Sequence, residues 1–317
     1  MTAQDLSRTV DAWIAAEPDD DVREELTALR DGPPDELAER FGGRLTFGTA
    51  GLRAQVGAGP LRMNRLVVRQ AAAGLADYLL EIDPRARERG VVIGHDARRK
   101  SDVFALDTAR VMAARGLRAL VLPGPQPTPV VAWALTELDG AACVVVTASH
   151  NPPQDNGYKV YLGDGAQIVP PHDVGIAERI GALDPTTIEL SAEDDPLIER
   201  LSTDIVDRYV AAAPAVRRRP DVPGVPVAYT PMHGVGGAVV LRAFEAAGFA
   251  PPAVVAEQFD PDPTFPTVSF PNPEEPGAMD LVMALAAATG ALIAIANDPD
   301  ADRAGAAIPQ PDGSWRR

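Results

Sequence analysis

Residues 91–147 read VVIGHDARRKSDVFALDTARVMAARGLRALVLPGPQPTPVVAWALTELDGAACVVVT, and their pattern decides the fold. Val91 to Gly94, Ala119 to Leu122 and Ala141 to Thr147 are short apolar runs of the length expected for buried strands. Between them, Ser101 to Gly116 and Thr128 to Leu138 have helical spacing. Ser101 is placed to cap the first of these helices and Gly116 to end it. Short apolar strands alternating with helices form βαβ units, which assemble a largely parallel sheet. Upstream, Met63 to Ile82 predicts a long helix. Downstream, a break around 183–200 precedes a predicted helix at Ile198–Ala213 and a proline-rich connector at Arg219–Pro226. A second α/β unit follows: strand Val225–Tyr229, helix Gly237–Gly248, strand Pro252–Glu257, a loop at 260–277, helix Ala278–Thr289 and strand Ala291–Ala296. The shared layout fits an internal duplication, without a residue-level repeat.

The chain has 317 residues, which at roughly 150 residues per domain suggests about two domains. Hydrophobic residues make up 46% and charged residues 23%, which argues against disorder and collagen-like repeats. With 45 acidic and 29 basic side chains the net charge is −16. That average field repels nucleic acid and anionic membranes, while a local basic pocket for phosphate stays compatible with it. The lone Cys143 excludes an internal disulfide and suits a reducing cytoplasm. The start, MTAQDLSRTVDAWIAAEPDDD, lacks the cationic and apolar regions of a signal peptide. Leu281 to Ala296 is too short and too interrupted to span a bilayer. Within residues 1–40, Leu6, Val10, Trp13 and Ile14 recur at helical spacing, and Pro18 and Pro33-Pro34 break the run. This predicts a helical extension packed on the main body.

Ligands of α/β sheets bind beyond the carboxyl ends of the strands, so the residues that follow each strand matter most. After Ala141–Val146 comes TASHNPP (147–153), in which Ser149 beside His150 is a candidate nucleophile or phosphoryl carrier, or an ordinary turn. After the last predicted strand comes NDPDADR (297–303). Alternate side chains of an extended loop point the same way, and three crowded carboxylates are costly without a cation. All-oxygen ligands suit a hard ion, Mg²⁺ before Mn²⁺ or Ca²⁺. Ahead of the first sheet strand, TFGTAGLR (46–53) offers free backbone N–H groups, hydroxyls and Arg53 to an anion. The motifs of P-loop NTPases, dinucleotide folds and α/β-hydrolases are missing. A carboxylate triad, a hydroxyl and an anion-binding turn together point to phosphoryl transfer.

These residues resemble the α-D-phosphohexomutases, the phosphoglucomutases and phosphomannomutases. FGTAGLR (47–53), GHDAR (94–98) with Ser101, PTP (127–129), TASHNP (147–152), NGYK (156–159) and DPDADR (298–303) match in the family's order. LRAQVGAGPLRMN (52–64), PMHGVGG (231–237) and FPNPEEPGAMDL (270–281) are most similar to the long phosphoglucomutase/phosphopentomutase branch, which also carries an N-terminal helical extension. The resemblance implies two consecutive α/β domains with mixed or parallel sheets after that extension. The expected bounds are 1–40 for the extension, 41–197 for the phosphoserine-loop domain and 198–317 for the metal-loop domain. It implies that Ser149 is a phosphoserine. It implies that Asp298, Asp300 and Asp302 bind Mg²⁺ together with an oxygen on Ser149. Thr49, Arg53 and Arg303 would hold phosphate, and Arg53, His150 and Lys159 would line the catalytic pocket, with Lys159 a candidate acid/base. It implies interconversion of a sugar 1-phosphate and 6-phosphate, glucose foremost, in a cytoplasmic enzyme. Glucose 1,6-bisphosphate would serve as intermediate and activator, with no nucleic acid or membrane partner.

Departures from the family pattern are Ala54 after the arginine and Arg99-Lys100 before Ser101. The resemblance covers essentially all of this chain but about the first half of a family protein. The third and fourth domains, with the sugar-selecting and substrate-phosphate loops, are therefore expected to be absent. Two other readings remain open. One is a non-catalytic Mg²⁺- or phosphate-binding fragment of such an enzyme. The other is a haloacid-dehalogenase-like phosphatase with Asp298 as nucleophile and Asp300 as acid/base.

Overall fold

Proline sets the first breaks, in a computed structural model that describes residues 3–317. Helices α1 (Ala3–Ala16), α2 (Asp20–Asp31) and α3 (Pro34–Phe41) are separated at Pro18 and Pro33, with Pro34 in the first turn of α3 where its missing N–H is harmless. Met1 and Thr2 of the expected extension lie outside the described residues. Val10, Trp13, Val22, Leu26, Leu37 and Phe41 are buried in the main core, so these helices are part of its packing.

The first sheet is built from β1 (Leu52–Gln55), β2 (Val91–His95), β3 (Ala119–Val121), β4 (Ala142–Val146), β5 (Asp155–Leu162) and β6 (Ile198–Arg200). Its order is β1-β5-β4-β2-β3-β6. The central pairs β4/β2 and β2/β3 are parallel, while β5 runs antiparallel to β4 and to β1. The helices are α4 (Arg65–Ile82), α5 (Ala86–Arg89), α6 (Ser101–Ala114), α7 (Thr128–Glu137), α8 (His172–Ala182) and α9 (Asp204–Ala212). Asn64 caps α4 by accepting from the Val67 N–H at 3.0 Å. Strand alternation sends Val91 and Ile93 into the layer with α4, α6 and α8, and Val92 into the layer with α7 and α9. Gly74 on α4 permits close helix packing, since a Cβ there would lie 2.5 Å from Ile180 Cγ1 on α8.

Two local expectations are corrected. Ser101 does not cap α6; Lys100, at φ +65°, is the cap position, and Ser101 Oγ donates to buried Asp96 Oδ1 at 2.7 Å. A buried carboxylate left without donors is costly. The helix expected from Ile198 begins only at Asp204, because Ile198–Arg200 adds to the open edge of β3 as β6.

The second sheet contains β7 (Val227–Thr230), β8 (Ala253–Val254), β9 (Ile293–Asn297), β10 (Ala304–Pro309) and β11 (Trp315–Arg316), in the order β11-β10-β9-β7-β8. Helices α10 (Gly237–Ala246) and α11 (Asp280–Thr289) flank it. The α11 face holds a buried cluster of Met279, Val282 and Ala286 with Ala228, Ala294 and Ala296. On the other face α10 buries only Gly237. Beside it runs an apolar cavity of about 770 Å³ lined by Val216, Val225, Phe244, Phe249 and Ile293.

Candidate active site between two strand ends

The serine loop leaves β4 in a sharp turn. Ser149 sits at φ +53°, a left-handed conformation that a non-glycine residue adopts only when its surroundings enforce it. Thr147 Oγ1 accepts the Ser149 N–H at 2.8 Å. Arg98, buried to 4% exposure, supplies the rest. Its guanidinium donates to the carbonyls of Ser149 and Asn151 at 2.6 Å, Pro152 at 2.8 Å and Asp155 at 3.2 Å. The same guanidinium lies 4.9 Å from the centre of the Phe265 ring, in the second unit.

The acidic loop leaves β9 at the equivalent place and also contains a left-handed residue, Ala301 at φ +57°. Oxygens of Asp298, Asp300 and Asp302 lie within 4.8 Å of one another, the first two buried. From below, the loop rests on PMHGVGG. The Val235 N–H donates to Pro299 O at 2.8 Å, and a Cβ on Gly234 would lie 2.4 Å from Pro299 Cα.

The two loops meet. Ser149 Oγ donates to Asp298 Oδ2 at 2.8 Å, and His150 Nδ1 lies 3.3 Å from the same hydroxyl. Lys159, on β5, donates to Asp300 Oδ2 at 2.7 Å and Asp302 Oδ2 at 2.6 Å. Arg53, on β1, donates to Asn151 Oδ1 at 3.1 Å. The Arg303 N–H donates to Asp298 Oδ1 at 3.1 Å, and its guanidinium lies 3.9 Å from Asp298 and from Asp302. Thr49 is not brought into this cluster. It lies exposed in the Gly48–Gly51 turn, and its carbonyl accepts from Gln167 at 3.0 Å.

The electrostatics follow from burial. Burial, then the charges of Asp300 and Asp302, push the Asp298 carboxyl up to about 8. Burial also works to raise Asp300, but Lys159 outweighs it and holds that carboxyl below the usual range. Burial works to lower Lys159, yet the two aspartates overcome it and keep the ammonium charged. Burial, with Arg303 and Arg53, pushes His150 down to about 4, so its imidazole is neutral at pH 7. Asp300 Oδ1 is buried and has no hydrogen-bond partner. A buried, orphaned oxygen on one of three clustered carboxylates fits a hard divalent cation, and these three residues could hold one.

The sequence pointed to the serine, histidine, lysine, arginines and aspartates. GHDAR, PTP and TASHNP contain Arg98, Thr128 and Asn151, but a motif alone assigns these three no role; their partners here do.

Two domain families match the chain. Residues 44–186 match "Phosphoglucomutase/phosphomannomutase, alpha/beta/alpha domain I" and residues 207–312 match domain II of the same description. The chain belongs to the phosphoglucomutase/phosphomannomutase family. Among members of that family, a probable phosphomannomutase of Haemophilus influenzae is 48% identical over 257 residues, which are 80% of this chain and 52% of that protein. A human phosphopentomutase is 41% identical over 91% of this chain and 49% of its own length. The solved structure of a putative phosphomannomutase from Thermus thermophilus superposes with a TM-score of 0.69 at 27% identity, covering 86% of this chain and 58% of that one. The chain thus spans about half the length of the curated relatives it matches.

Proposed function

We propose that this chain carries the phosphoryl-transfer half of a magnesium-dependent phosphosugar mutase. The observation that carries the reading is the 2.8 Å contact between Ser149 Oγ and Asp298, which joins a strand-end hydroxyl to a carboxylate triad from the other unit. Ser149 would bear the phosphoryl group. In transfer, the bond from Ser149 Oγ to phosphorus breaks as a sugar hydroxyl oxygen bonds that phosphorus. In this reading neutral His150 would take the hydroxyl proton and charged Lys159 would supply the proton that Oγ gains. The bisphosphate then turns, and its other phosphate passes back to Ser149 by the reverse route. Asp298, Asp300 and Asp302 would hold Mg²⁺, which when bound neutralises charge on the phosphoryl oxygens. Arg53 and Arg303 add fixed positive charge beside them. Thr49, exposed in its turn, is proposed as a further phosphate contact.

The sugar is the finer part of the proposal. The two relatives described above are named for mannose and pentose phosphates. Glucose 1-phosphate with glucose 6-phosphate is the pair we propose, primed by glucose 1,6-bisphosphate and assayed against the other two. The proposed division is an extension (1–40), a serine unit (41–197) and a metal unit (198–317); the pairing of Ile198–Arg200 with β3 supports a boundary a few residues later. A cytoplasmic setting belongs to the same proposal. Cys143 is buried and free, and no described helix is long and apolar enough to cross a membrane.

The test is the intact mass of the protein after exposure to glucose 1,6-bisphosphate and Mg²⁺, with peptide mapping. One phosphate adds about 80 Da. The expected result is one phosphate on Ser149 and none on the Ser149→Ala variant. An unmodified serine would point to a module that binds without turnover. Phosphate release that survives Ser149→Ala would favour a phosphatase using Asp298.

A further inference from the structure

Thr128 belongs to the PTP segment, which the proposed chemistry leaves without a task. It opens α7 in the first unit and is 2% exposed. Both of its polar groups reach across to one residue of the second unit. The Thr128 N–H donates to the Asp300 carbonyl at 2.9 Å, and Thr128 Oγ1 donates to Asp300 Oδ2 at 2.5 Å.

The first turn of α7 makes this pairing reciprocal. A helix start leaves N–H groups that need outside acceptors, and a first turn favours negative charge. Here the first turn contains no acidic residue of its own. Pro129 has no N–H, and the N–H groups of Val130 and Val131 are taken by Pro127 O at 3.0 and 3.3 Å. That leaves the Thr128 N–H, and Asp300 satisfies it. In return, Asp300 Oδ2 receives two donors, Thr128 Oγ1 and Lys159 Nζ. Oδ2 is therefore engaged, and the buried Oδ1, which has no partner, is the oxygen that Asp300 has left to offer the triad.

Lys159 cannot fix this orientation alone. Its ammonium is shared with Asp302, and an ammonium presents three donors without a strict plane. The threonine hydroxyl is the directional one, held by a helix start. We propose that Thr128 is a positioning residue for the metal-binding carboxylate Asp300, turning Oδ1 into the triad from the other unit. The inference rests on the metal reading given above and assigns it a supporting residue.

Outer partners of a ligating carboxylate typically change metal affinity about 10–100-fold when lost. The test is Mn²⁺ binding by the full chain, followed by calorimetry and by the electron-spin signal of free Mn²⁺, with circular dichroism as a folding check. Thr128→Val keeps the shape and removes the donor; the expected result is Mn²⁺ binding weaker by about tenfold. Thr128→Ser restores the donor and is expected to bind within about threefold of the parent. If Thr128→Val fails to fold, Thr128→Ala against Thr128→Ser makes the same comparison. Parent-like Mn²⁺ binding by the folded Val or Ala variant overturns the role of Thr128 and leaves the metal reading standing. Failure of the parent itself to bind Mn²⁺ overturns both, which separates the two failures.

Discussion

The two sheets share a plan. The order β5-β4-β2-β3 in the first reappears as β10-β9-β7-β8 in the second, with the same parallel and antiparallel pairs. The serine follows β4 and the carboxylates follow β9, so the site is made from the same corner of each unit. The support differs. The serine loop is strapped by Arg98 and Thr147 of its own unit, whereas the acidic loop borrows Thr128 and Lys159 from the other. Cover differs too: helices bury both faces of the first sheet, while α10 leaves an open apolar cavity on the second. The backbone of the serine loop is held within its own unit, and the acidic loop is completed by side chains of the other.

Arg98→Met attacks the platform. It removes the donors to four loop carbonyls and the cation beside buried Asp96, whose carboxylate lies 3.3 Å from Arg98 Nε. Breaking a buried pair from one side destabilises by about 3–5 kcal/mol. Urea unfolding should show a loss of that size; a change below about 1 kcal/mol would mean the strap is redundant.

Glu17 probes the same unit through pH. It is buried to 2% exposure, Oε2 has no partner, and burial pushes its carboxyl up to about 7. The folded state therefore keeps a proton that the unfolded chain releases from about pH 4.5 upward. Its contribution is fully present below about 4.5 and is lost as pH rises through about 7. The total is on the order of 3 kcal/mol. Glu17→Gln should flatten this part of the stability-against-pH curve and make the protein more stable than the parent at pH 8. Parallel curves would count against a buried, protonated Glu17.

The borrowed loop should respond to cation instead. At about a hundredfold excess of Mg²⁺ over its dissociation constant, the parent gains about 2.7 kcal/mol. Asp300→Asn should lose most of that gain in a thermal melt with and without Mg²⁺, and Arg303→Gln much less. The smallest effect belongs to the open face. Val216 is 82% exposed at the cavity, so Val216→Asp should change stability by no more than about 0.5 kcal/mol. It should nonetheless lower fluorescence of a dye that binds apolar surface. Unchanged dye binding would mean the face is closed in solution.

Much of this was legible in the sequence because it is local. Apolar runs marked the parallel strands, and three aspartates in five residues announced a charge problem that a cation solves. β5 was not foreseen, because Asp155-Asn156-Gly157 reads as a loop. Yet Tyr158 and Val160 face the core there while Lys159 faces the site. β6 was hidden by its brevity, and Ser101 followed a buried carboxylate rather than a helix rule. Arg98 and Thr128 stayed without roles for a different reason. The partner of Thr128 is 172 residues away, and no period or composition encodes a contact that long.

Sequence distance is also time. Ser149 and Asp298 are 149 residues apart, and at about 5–20 residues per second a ribosome needs on the order of 10 s to travel from one to the other. Arg98 and Thr147 are already made by then, so the left-handed serine turn has its straps before its carboxylate exists. The acidic loop, made after them, arrives at partners that have been waiting for it.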